Sequence, residues 1–164
     1  MKILALPMLL GIIATPALAA DHAADQLARG AYLGAIMDCA GCHMPRGPDG
    51  APVAGATLSG GTVGFEIPGM GIFWPPNLTP DASGLGDWTD AEIAAAIIGG
   101  ISRDGHKLAP IMPATSYAAL TPEDLQALIT WLRSLPATPT ERLVPVTDAA
   151  KAKAPFYRVT LPQQ

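Results

Sequence analysis

Along the chain, apolar residues run unbroken in one stretch and recur at helical spacing in three others. The unbroken run, Ile3 to Ala14, follows Lys2 and leads through Thr15 and Pro16 to the small-residue stretch Ala17-Leu18-Ala19. That is the pattern of a secretory leader, with cleavage expected after Ala19 or Ala20, and the run is short for a membrane span. From Ala23 to Met37, Leu27, Ala31, Leu33, Ile36 and Met37 fall mostly on one helical face, which predicts a first helix. Gly30 and Gly34 lie four apart on one side of it. Glycines there weaken a helix, so a close neighbour is expected against that side.

Two further helices announce their own starts. Thr89-Asp90-Ala91-Glu92 is a capping-box pattern, followed by Ile93, Ile97 and Ile98 and closed by Gly99-Gly100. Thr121-Pro122-Glu123-Asp124 offers a cap, a proline for the first helical position and acids for the first turn. Its apolar face is Leu125, Leu128, Ile129, Leu132 and Leu135, and Pro136 stops it.

What lies between has no period. Residues 44–87 are rich in Gly and Pro and read as loop, with a short hairpin around Thr62 to Ile67. A loop of that length in a small domain is expected to wrap something. Residues 137–164 form a Pro-rich extension expected to lie over the surface, with one helical turn near Asp148 to Ala154. The organisation expected is a leader over 1–19, one domain over 20–136 and the extension over 137–164.

Composition sharpens this picture. With 17 Gly, 17 Pro and only 5% aromatic residues, a small helical frame is short of core and gains from a large apolar cofactor at its centre. The formal charge is −4, or −5 once Lys2 leaves with the leader. Nucleic acid and anionic lipid bind through clustered Lys and Arg, so neither is an expected partner.

Both cysteines and one of the three histidines stand in Cys39-Ala40-Gly41-Cys42-His43. C-x-x-C-H is the attachment pattern for haem c: each thiol meets one vinyl group, and the next residue's imidazole reaches the iron. A thioredoxin-like pair requires a βαβ context, which the pattern lacks. A zinc site requires a fourth ligand, and no clustered group offers one. The occupant of the second axial position decides between electron transfer and ligand chemistry. Met37 and Met44 are too near the motif to cross the ring, and Met1 and Met8 leave with the leader. Met70, Met112, His22 and His106 remain. Met112, in the proline-bracketed "LAPIMPATSY", is favoured because a stiff loop can hold a thioether against the iron; Met70 and His106 stay open as alternatives.

The stretches "GAYLGAIMDCAGCH", "PPNLTPDASGLGDWTDAEIAAAI" and "GGISRDGHKLAPIMPATSYAALTPEDLQALITWLRSLP" resemble a class I cytochrome c. The likeness is to the single-haem modules in cytochrome subunits of bacterial periplasmic alcohol and gluconate dehydrogenases. It covers Ala28 to Pro136. The resemblance implies an all-α fold of three to four helices with long loops round one covalently attached haem. It also implies thioether bonds to Cys39 and Cys42, His43 as proximal ligand, Met112 as distal ligand, and first and last helices crossing near Gly30 or Gly34. Such subunits often carry three modules and an anchor, so one CxxCH points to a soluble carrier or a small subunit.

Four more residues are candidates for the cofactor's surroundings. Arg103 precedes the Met112 loop and has a cation for a haem propionate. Trp74 and Asn77 have N–H groups for the same purpose, and Trp88 can pack near the ring. Asn77-Leu78-Thr79 also has the form of a glycosylation sequon. The function expected is one-electron transfer in the periplasm rather than catalysis. The donor is a dehydrogenase and the acceptor another cytochrome or a terminal oxidase. The alternative is a ligand-binding or catalytic haem protein with an open or labile distal site.

Overall fold

The fold is that of a computed structural model, which describes residues 16–160 and 162. The apolar run of the expected leader lies outside those residues. The first helix, α1 (Pro16–Ile36), begins earlier than the pattern predicts and runs through the expected cleavage point. It ends because Asp38 turns left-handed, with φ 54°, the one non-glycine residue with positive φ among those described. Asp tolerates that region because its short side chain bonds locally. Here it does so by accepting the Gly41 N–H, which opens α2 (Cys39–His43).

The two expected caps are built as read. Helix α3 (Asp90–Gly99) carries the reciprocal capping box: Thr89 Oγ1 accepts from Glu92 N, and the Glu92 carboxylate accepts from Thr89 N. A short helix, α4 (Ala114–Tyr117), follows Met112. Helix α5 (Pro122–Ser134) is capped by Thr121 and begins on Pro122. Five α-helices thus stand among the described residues, one or two more than expected, because α2 and α4 are too short to show a period.

Helices α1 and α5 cross face to face. A Cβ on Gly30 would lie 2.1 Å from the Ala127 carbonyl oxygen, and one on Gly34 would lie 2.2 Å from the Trp131 ring. Both glycines are therefore the contact itself. At the rim, Arg29 forms a two-pronged pair with Asp124, at 2.7 and 2.9 Å. Beneath the crossing, Leu33, Ile93, Ile97, Leu128 and Leu132 make one core with the loop residues Leu58 and Leu85. Tyr32 is 54% exposed and faces the Arg29 guanidinium.

Arg133, near the end of α5, closes the loop onto the helices. Its guanidinium donates to the carbonyls of Leu85 and Trp88 and to the Asp90 carboxylate. Removing the fork leaves two carbonyls without it in a half-buried place. Arg133→Met should lower unfolding stability by about 1–2 kcal/mol, measured by denaturant titration. A change near zero would mean that water replaces the fork.

The all-α expectation needs one correction. Within the long loop a hairpin forms from β1 (Gly64–Ile67) and β2 (Gly71–Phe73), with Phe65 opposite Phe73. The extension then returns as β3 (Phe156–Tyr157), parallel to β1, giving the order β2-β1-β3. The single helical turn expected in the extension is present as a 3-10 turn, Ala149–Lys151. The extension does more than lie on the surface. Val146 exchanges backbone hydrogen bonds with Ile72, Pro155 O accepts from Gly64 N, and Arg158 pairs with Glu66.

Candidate haem-binding site

The site starts from α2. Three residues apart on one helical turn, Cys39 and Cys42 share a face, and both are free, half-buried thiols. A Cβ on Gly41 between them would lie 2.1 Å from the Asp38 carboxylate and displace the side chain that caps the turn. Burial pushes the Cys39 thiol up to about 11 and raises Cys42 as well. Neither thiol shows the lowered pKa that marks the reactive cysteine of a redox CxxC pair.

His43 is buried, and its Nδ1 lies 2.7 Å from the Pro76 carbonyl oxygen. A carbonyl only accepts, so Nδ1 carries the proton and Nε2 keeps a bare lone pair. Burial lowers the imidazole pKa, with the Pro76 bond opposing, which favours the neutral form that binds metals. Among the described residues no sealed side-chain N or O lacks a partner. Nε2 makes no hydrogen bond among the described residues. Two thiols on one turn beside a neutral, correctly protonated imidazole fit the donor set of haem c.

Met112 sits in the turn that enters α4, with its N–H on Ala109 O and its carbonyl accepting from Ala114 N. It is half-buried. Its loop is tied down at both ends. Leu108 N donates to Gly100 O, and Tyr117 Oη donates to Met37 O, 2.8 Å away and two residues before Cys39. The other candidates are exposed. Met70 is at the hairpin turn and 49% exposed. His106 lies on an exposed turn with Nδ1 engaged by Asp104, and His22 is exposed on α1.

Trp74 and Asn77 require a correction. The Trp74 indole N–H donates to Pro155 O in the extension, not to open space. Both amide hydrogens of Asn77 are taken, by Ser83 Oγ and Thr138 O, and its Oδ1 accepts from Thr79 N and Oγ1. Neither group is free for a propionate, and the buried Asn77 amide is no place for a sugar. Trp88 is half-buried against the core. Arg103 is exposed, with no hydrogen bond among the described residues and its charge felt at Glu92.

Sequence reasoning missed Pro76, whose role is a backbone carbonyl, and Tyr117, whose hydroxyl anchors the Met112 loop. It also missed Arg46, which donates to Gly41 O and Gly50 O and so pins the outer side of α2. Beside Cys42 opens a cavity of about 280 Å³, walled by Arg46, Phe65 and, from the extension, Tyr157.

The family model for cytochrome c matches residues 27–136. The chain belongs to the cytochrome c family. Its curated relatives include the gluconate 2-dehydrogenase cytochrome c subunit of Pantoea cypripedii, 37% identical over 125 residues, covering 75% of this chain and 26% of that one. A nicotinate dehydrogenase subunit of Pseudomonas putida is 34% identical over 135 residues, covering 82% and 10%. The cytochrome c subunit of the quinone alcohol dehydrogenase of Gluconacetobacter polyoxogenes is 36% identical over 121 residues, covering 71% and 24%. The chain thus spans about a quarter or less of these relatives. A cytochrome c domain implies covalently attached haem c and a part in electron transfer. The resemblance to dehydrogenase cytochrome subunits read from the sequence holds.

Proposed function

We propose that this chain is a periplasmic electron carrier, or the electron-transfer subunit of a dehydrogenase, with one haem c attached through Cys39 and Cys42 and ligated by His43 and Met112. Electrons arrive from a dehydrogenase and leave to another cytochrome or a terminal oxidase. The observation that carries the reading is the His43–Pro76 hydrogen bond, which leaves Nε2 as the ligating atom beside the two thiols. Relatives that are dehydrogenase subunits support the donor, and the leader pattern supports export.

When bound, the haem supplies a one-electron couple whose potential depends on axial ligands and burial. The chain's own residues set those conditions. Pro76 fixes the imidazole and raises its basicity. Met112 offers a thioether, which favours the reduced state relative to a second imidazole. Tyr117 and the Gly100 carbonyl hold the Met112 loop in place, so little rearrangement accompanies a change of charge. No side chain is asked to act on a substrate.

The ferrous, haem-loaded protein should be reoxidised by membranes of the source organism that carry an active terminal oxidase, seen as loss of the reduced visible bands. Protein that stays ferrous while the same membranes respire would contradict the carrier role.

A further inference from the structure

We propose that Thr79 and the Thr138 segment of the C-terminal extension are positioning residues for the proximal ligand, acting through Asn77 on the Pro76 carbonyl. The inference rests on the reading of His43 as that ligand. Pro76 C=O and Asn77 N belong to one planar peptide unit, so the carbonyl that faces His43 turns with Asn77. The Asn77 N–H has no hydrogen bond among the described residues; the units on either side are held by Gly61 N on Pro75 O and Leu78 N on Leu58 O, and the Asn77 side chain is the further hold on the plane between them.

That side chain is held on every polar atom. Nδ2 donates to Thr138 O at 2.8 Å and to Ser83 Oγ at 3.0 Å, while Oδ1 accepts from Thr79 N and Thr79 Oγ1, both at 2.8 Å. Thr79 Oγ1 in turn accepts from Thr138 N at 3.2 Å. Thr79 is 0% exposed and Asn77 6%. Water is therefore a poor substitute for the extension, and without it a buried amide and hydroxyl would lose partners. Two further ties, Thr57 Oγ1 with Thr138 Oγ1 at 3.0 Å and Thr140 N with Ser83 Oγ at 3.0 Å, fasten the same segment.

The consequence is chemical as well as structural. A firm Nδ1–H···O=C bond keeps the imidazole a strong donor. Loosening it weakens that donation and favours the reduced iron, so the midpoint potential should rise.

The test uses the full, haem-loaded chain in its reduced state and follows hydrogen exchange of His43 Nδ1–H by NMR, with the Leu128 amide of α5 as an internal reference. In Thr79→Val the Nδ1–H should exchange about tenfold faster than in wild type, the equivalent of roughly one lost hydrogen bond. The Leu128 amide should change little, and the potential should move upward. Thr79→Ser, which restores the hydroxyl, should return both readouts to wild type. Acceleration of Nδ1–H only in step with Leu128, or none at all, would overturn the proposal and leave a purely structural network. If Thr79→Val fails to fold, Ser83→Ala, which removes one partner of Asn77, is read against the same two outcomes. A wild-type protein without a low-spin, His-ligated spectrum would defeat the functional reading before any variant is compared, so the two failures are separable.

Discussion

Gly30→Ala should cost about 3 kcal/mol of unfolding stability, although alanine is the better helix former. Propensity alone favours the change by roughly 0.5–1 kcal/mol. The clash decides the sign, because the added Cβ would lie 2.1 Å from Ala127 O and 2.5 Å from Trp131 Cβ, and a helix backbone cannot step aside as a flexible side chain can. Helix α5 would have to lift from α1, opening the core at Leu33 and Leu128. Gly99 in α3 is the control. A Cβ there meets nothing closer than Ile101 Cγ1 at 3.9 Å, so Gly99→Ala should be neutral or slightly stabilising. Denaturant unfolding of the two variants beside wild type checks the pair. Equal effects would show that α1 and α5 do not cross at Gly30.

The double variant Cys39→Ser/Cys42→Ser should lose covalent haem completely when exported in cells able to mature c-type cytochromes. Wild type should keep its haem on a denaturing gel and carry the mass of one. Each single variant retains one thiol on α2 and should keep at most one thioether, with a lower yield. Burial raises the pKa of both thiols in the folded chain. Haem staining in the double variant would separate the cofactor from the motif.

The parts of this account that were legible in the sequence are those written locally. Thr89 with Glu92 and Thr121 with Pro122 mark helix starts because a cap and its partner lie within one turn, and both are found as read. A close neighbour at Gly30 and Gly34 was legible as two small residues on one face, and the family resemblance implied that it is the last helix, although only the structure names Ala127 and Trp131 as what they admit. The misreadings share one cause. A sequence shows that Trp74 and Asn77 own donors, but not that Pro155 and Thr138 return from a distant segment to accept from them. Those acceptors are backbone carbonyls, which every residue has. Strand β3 escaped for the same reason, since two residues paired in parallel across the chain leave no alternation to detect. The left-handed Asp38 and the Pro76 carbonyl are likewise backbone facts.

The ligation of the iron is the central claim, and reduced-minus-oxidised visible spectra with and without CO test it most directly. The wild-type protein should give a sharp low-spin spectrum that CO leaves unchanged at neutral pH, and Met112→Ala should become CO-sensitive while keeping its covalent haem. Binding of CO by the wild type would contradict a closed His43/Met112 pair and place the protein among haem proteins with an open or labile distal site.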